Sequence, residues 1–279
     1  MKKYFKSPVF YLLLFTILAQ FLAVYITYRF SFSLLAEEVY EPFGQTIEGA
    51  VANTIPIILL LLVFGFFIAF LVRFRKFNFI KAILIGALMS STFSLNLILF
   101  STIFSESSYL PWIISFFLTI LVFSVAYFKR LSFLSKSLSL FIGAEAAGYF
   151  ATILQPPTVF ILPLMLAAYD IYAVFAGPLK MIIGKPVKAK TGLKKAKLDF
   201  LSLLIIDFGF VKIGLGDIVF YSMLPATAFM LFGLQKMFLT IIATNLGVVL
   251  TMILLIRKKI PLPGLAIPML LGVLTLIFL

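Results

Sequence analysis

The sequence contains neither cysteine nor histidine. The first absence excludes disulfides, thiol nucleophiles and iron–sulfur clusters; the second excludes Ser-His triads, imidazole-ligated zinc and haem held through histidine. Charge is also scarce, at 12% of the 279 residues, where a soluble domain carries about 25%. Acids are the scarcest charged group, 10 against 23 basic residues. Any chemistry therefore falls to carboxylates, hydroxyls, lysine or backbone, and no cofactor or metal is expected.

What the chain has instead is apolar length: 63% hydrophobic residues and a mean hydropathy of +1.19. At about 20 residues per span, this length has room for roughly eight to ten transmembrane helices. Apolar runs cover Val9 to Tyr28, Asn53 to Val72, Ile80 to Phe104, Leu110 to Phe128, Ser137 to Leu154, Pro157 to Phe175, Val211 to Gly233, Met237 to Ile256 and Pro261 to Leu279. The expected fold class is an all-α polytopic membrane protein of nine transmembrane helices. The opening MKKYFK and the first run read as a retained membrane helix, because the run is too long for a signal-peptide core.

The net charge of +13 suits either a nucleic-acid binder or the cytoplasmic loops of a membrane protein. Its placement decides. With a cytoplasmic N-terminus and nine crossings, every basic residue except Arg29 and Lys236 falls inside, while Glu37, Glu38, Glu41, Glu48 and Glu106 fall outside. This predicts N-in, C-out. The basic segment near 180–199 reads as a solvated cytoplasmic loop touching anionic lipid, so no nucleic acid is expected. Residues 1–154 are expected to form an N-terminal scaffold of five helices and 155–279 a part carrying helices six to nine.

The remaining acids are Glu145, Asp170, Asp199, Asp207 and Asp217. A carboxylate at membrane depth costs several kcal/mol unless paired, protonated or wetted. Glu145 sits among small residues in IGAEAAGYF, where a protonated carboxyl bonded to a neighbouring helix suffices. Asp199 and Asp207, flanking LDFLSLLIIDF, are expected at the cytoplasmic interface. Asp170 lies about seven residues before Gly177, a depth of roughly 10 Å, and Asp217 about five after Lys212 on a helix running the other way, roughly 8 Å deep. Antiparallel neighbours bring the two to one level. Two carboxylates in a low-dielectric site cannot both ionise easily and share a proton near neutrality. The charged member can draw a proton from water while the neutral one polarises a carbonyl, which is aspartic-protease chemistry.

Around these residues stand YDIYAVFAGPLKMII at Asp170, FVKIGLGDIVFYS at Asp217 and LPGLAIP from Leu262 to Pro268. In order and helix placement they resemble the three signature regions of the presenilin and signal peptide peptidase family, over about Tyr169 to Gly272. The resemblance implies an archaeal-type, presenilin-like intramembrane aspartyl endopeptidase with Asp170 and Asp217 as catalytic pair. It implies Tyr169, Lys212, Gly214, Leu215, Gly216, Pro263, Gly264 and Leu265 as residues that shape the site or bind substrate. The family's third motif reads Pro-Ala-Leu, and here Gly264 replaces the alanine. The implied partners are transmembrane-helix substrates and the lipid bilayer of a prokaryotic plasma membrane, with a homo-oligomer compatible. The short segment between Gly184 and Phe200 argues against maturation by self-cleavage, and the N-in orientation favours the presenilin side of the family. Prepilin peptidases also carry Gly-x-Gly-Asp, but usually with lysine two residues beyond, where this chain has Val219. The alternative is a proton- or cation-coupled transporter or channel using the same carboxylates.

Two further expectations concern substrate handling. Pro261 and Pro263 disfavour helix at the entry to the ninth span, which is expected to be extended. Leu201 to Ile206 is expected to be disordered alone and to form a strand with an unwound substrate, the alternative being the first turns of a longer seventh helix.

Overall fold

The computed structural model describes residues 2–32, 41–74, 76–104, 108–128, 132–177, 205–208, 212–258 and 262–278. Six helices come first: α1 (Lys2–Phe30), α2 (Ile47–Arg73), α3 (Phe77–Ser101), α4 (Leu110–Phe128), α5 (Ser132–Ile153) and α6 (Thr158–Phe175). A two-stranded antiparallel hairpin follows, β1 (Ile205–Asp207) with β2 (Lys212–Gly214). The chain ends with α7 (Leu215–Phe232), α8 (Leu234–Lys258) and α9 (Ala266–Phe278).

Nine helices thus stand among the described residues, at the positions of the nine apolar runs. Six of them hold segments long and apolar enough to cross a membrane: Val9–Phe30 within α1, then α2, α3, α6, α7 and α8 up to Arg257. Leu110–Val122 and α9 are shorter apolar helices. Rows of apolar side chains face outward, including Leu59, Leu60 and Val63 on α2 and Phe116 and Phe117 on α4. An exposed apolar surface of that extent suits lipid, not water.

Local chemistry moves several boundaries. The second helix begins at Ile47, earlier than the apolar run, because the Thr46 side chain caps it by accepting from the Gly49 N–H at 3.0 Å. The seventh begins at Leu215, not Val211, because Lys212–Gly214 pairs as a strand with Ile205–Asp207. Ile206 and Ile213, both buried, stand opposite each other across it, and β-branched isoleucine favours the pleated backbone. Gly233, at φ 82°, ends α7 and turns the chain into α8, a conformation glycine adopts without steric cost. The ninth helix starts at Ala266, and Leu262 to Leu265 before it are non-helical as the prolines require.

The centre of the molecule is α7. Ile218, Tyr221, Met223, Leu224, Ala226 and Ala228 on it are all buried. It packs against α1, α5 and α8, so residues before and after 154 share one core. A buried polar network pins three of these helices together. Gln20 donates to the Tyr221 carbonyl (3.1 Å) and to Thr244 Oγ1 (3.0 Å), while Asn245 donates to Gln20 Oε1 (2.7 Å) and Thr16 donates to Asn245 Oδ1 (2.8 Å). Inside a low-dielectric bundle such a closed set fixes helix rotation as well as contact. The Arg29 guanidinium donates to the Thr102 carbonyl, joining the C-terminal ends of α1 and α3.

Candidate active site

Three elements converge on two carboxylates. The sixth helix supplies Asp170, three residues after the buried Ala167 and three before the buried Ala173, so its side chain leaves the helix beside the packed face. The first turn of α7 supplies Asp217. The non-helical segment Leu262 to Leu265 supplies backbone to both.

Asp217 is held from two sides. It is the third residue of α7, and its Oδ2 accepts from the Gly214 N–H at 3.1 Å, satisfying one orphan donor of the helix start. A Cβ at Gly214 would stand 3.3 Å from that same oxygen, so glycine leaves the carboxylate room to fold back. A Cβ at Gly264 would stand 3.2 Å from it on the opposite side. Asp170 Oδ2 accepts from the Leu265 N–H at 2.9 Å. Adjacent residues of one short segment therefore lie beside both carboxylates, which interact electrostatically. Both aspartates are half-buried.

The segment is positioned in turn by α7 and α8. Tyr221, one turn after Asp217 and buried, donates its hydroxyl to the Gly264 carbonyl at 2.8 Å. Gly247 on α8 lets the backbone at Pro268 approach to a distance where any Cβ would clash, at 2.5 Å. Leu265 is buried in the cluster that includes Ile206, Ile213 and Met269, which couples it to the hairpin.

The other expected site residues separate by location. Gly216 faces open space, with nothing within 4 Å of a Cβ there, and leaves the approach to Asp217 clear. Leu215 is buried against Val122 and Ile142 and anchors the start of α7. Pro263 lies in the convergent segment. Tyr169 donates to the Leu61 carbonyl of α2 at 3.3 Å, and so ties α6 to α2. Lys212 is exposed and pairs with Asp207 at 3.2 Å across the hairpin. Asp199 lies outside the described residues.

Ile205 and Ile206 are already strand without any substrate, and 201–204 lie outside the described residues. The expectation of disorder at 205–206 is thus corrected, as is the helical alternative there, because β2 supplies the hydrogen-bonding partner. Glu145 also departs from expectation: it is fully buried, yet neither carboxyl oxygen has a hydrogen-bond partner among the described residues. Tyr221 was not singled out in the sequence, although its spacing of four from Asp217 puts both on one helix face.

Fold and site together define a multi-pass helical membrane protein in which two carboxylates meet at one irregular segment. Its fold resembles that of presenilin-family structures. Over 124 residues the sequence is 34% identical to Presenilin-B of Dictyostelium discoideum, a match covering 42% of this chain and 24% of that protein. The chain thus spans about a quarter of that relative's length. The fold is similar to that of a presenilin family intramembrane aspartate protease solved in the C222 space group, with TM-score 0.67, 18% identity and 96% of each chain covered. The P2 crystal form gives TM-score 0.63 and 20% identity, covering 93% of this chain and 94% of that one. No family model matches the chain.

Proposed function

We propose that this protein is an intramembrane aspartyl endopeptidase that hydrolyses peptide bonds within transmembrane helices of other membrane proteins. The observation that carries the reading is one backbone segment placed beside both carboxylates, the Leu265 N–H donating to Asp170 and Gly264 lying where a Cβ would stand 3.2 Å from Asp217 Oδ2. Such a pair needs neither metal nor covalent intermediate. One aspartate, ionised, takes a proton from a water; the other, protonated, donates to the scissile carbonyl and stabilises the charge developing there. The proton then passes to the leaving amine, and the pair returns to its starting state.

In this reading helices six to nine carry the catalysis and residues 1–154 serve as scaffold. The N-terminus is cytoplasmic, following the placement of the basic residues. Helical substrate bonds are shielded and must be unwound before attack. An unwound substrate would join the hairpin as a third strand, on the side of β1 away from β2. Gly216, with no side chain, keeps the route to Asp217 open.

The test is incubation of the purified protein with a panel of single-span substrates, read by mass spectrometry. Cleavage within the apolar span, lost in Asp170→Asn and Asp217→Asn, is the expected result. Intact substrates across the panel, with ion flux in proteoliposomes that needs both aspartates, would establish a transport role instead.

A further inference from the structure

Away from the two aspartates, the scaffold helices α3, α4 and α5 contain a second group of buried polar residues. Its location follows from an apolar layer where the helices meet. Leu88 on α3, Val122 on α4 and Ile142 on α5 pack together there with Leu138 and Leu215. Consecutive helices here are antiparallel, so one turn further along is Leu88 plus four, Val122 minus three and Ile142 plus three. Those positions are Thr92, Thr119 and Glu145. The next turn adds Asn96 on α3 and Ser115 on α4.

All five are buried: Thr92, Asn96, Ser115 and Glu145 have no exposure and Thr119 has 6%. Some of their polar atoms are satisfied locally. Asn96 Nδ2 donates to the Thr92 carbonyl at 2.9 Å, and Thr119 donates to the Ser115 carbonyl at 2.7 Å. Five oxygens are not: Thr92 Oγ1, Asn96 Oδ1, Ser115 Oγ and both carboxyl oxygens of Glu145 have no hydrogen-bond partner among the described residues. Left so, each buried oxygen loses its hydration without a compensating bond. The orientation of Asn96 matters, since its bonded amide nitrogen leaves the carbonyl oxygen as the free end.

We propose that Thr92, Asn96, Ser115 and Glu145 form an internal binding site for a monovalent metal cation of the sodium class. The donor set is made of oxygens alone, which suits hard cations. It holds one carboxylate, so a single positive charge gives a neutral site, whereas a divalent ion would leave a net charge buried among apolar helices. The oxygens do not bond one another, which a central ion coordinated by all of them explains directly. Because the supporting layer includes Leu215, two residues before Asp217, an occupied site braces the start of α7.

The experiment measures thermal unfolding of the full chain in detergent at pH 8, in sodium, potassium or N-methylglucamine chloride at one ionic strength, together with equilibrium binding of radioactive sodium. Wild type is expected to melt several degrees higher in sodium than in N-methylglucamine and to bind about one sodium per chain. Glu145→Gln, isosteric and uncharged, is expected to lose both effects. Ser115→Ala, a milder change, is expected to weaken them several-fold and covers the case in which the glutamine variant does not fold. The double variant Asp170→Asn, Asp217→Asn is expected to retain both, which separates this site from the aspartate pair. Equal melting of wild type in all three salts, the result for a protonated Glu145 surrounded by water, would overturn the proposal. So would an undiminished sodium response in both Glu145→Gln and Ser115→Ala, or its loss in the double aspartate variant.

Discussion

The backbone N–H of Leu265 donates to Asp170 Oδ2 at 2.9 Å, linking the entry of the ninth helix to a carboxylate 95 residues earlier in the chain. The bond fixes the orientation of one member of the pair through a donor no side-chain change can remove except proline. Leu265→Pro is expected to lower kcat by about 10²-fold. The fold should survive, because proline is accepted at a helix start. Turnover and thermal melting, measured on the same preparation, separate the two effects.

Replacing either aspartate with asparagine removes the acid or the base while keeping the shape. Cleavage is expected to fall by about 10³-fold or more in each variant, with the double variant no worse than the single ones, because the residues act as a unit. Substantial turnover by either purified variant would contradict the pairing.

Rate against pH should be bell-shaped. At low pH both carboxyls are neutral and no base remains; at high pH both are ionised and no acid remains. The two apparent constants belong to the pair, not to either residue. The measurement is kcat/KM across the acid and neutral range, and a flat profile would point to other chemistry.

Tyr221→Phe deletes the bond to the Gly264 carbonyl and nothing else of comparable size. A net loss of about 1 kcal/mol is expected for a neutral hydrogen bond. If it falls on the docking of the 262–265 segment, kcat/KM drops by about fivefold to tenfold while melting changes little. A drop in melting with unchanged kinetics would assign Tyr221 a purely structural part.

Asn245→Ala breaks the network among α1, α7 and α8, leaving Gln20 Oε1 and the Thr16 hydroxyl without their present partner. Stability should fall by about 1 to 3 kcal/mol, read as a lower melting temperature, with cleavage per folded molecule largely retained.

The sequence alone determined the helical membrane class, because long apolar runs admit few other solutions. It also located the two aspartates, since an acid inside an apolar run is conspicuous, and placed Gly264 and Leu265 beside them through the motif around Pro263. Other features depended on pairing between distant segments. The hairpin exists because 205–207 finds 212–214, and three-residue strands carry too weak a local signal to separate from a helix start. Tyr169 could not be oriented from its place next to Asp170, since successive residues of a helix point about 100° apart and only the packing of α6 on α2 gives its hydroxyl the Leu61 carbonyl. Tyr221 acquired its role the same way, through a carbonyl 43 residues along the chain. Glu145 is conspicuous in the sequence for the same reason as the aspartates. Only the register of α3, α4 and α5 puts Thr92 at its level and Asn96 and Ser115 one turn further along, because helix periodicity sets which face a residue lies on but not which residue of another helix stands opposite.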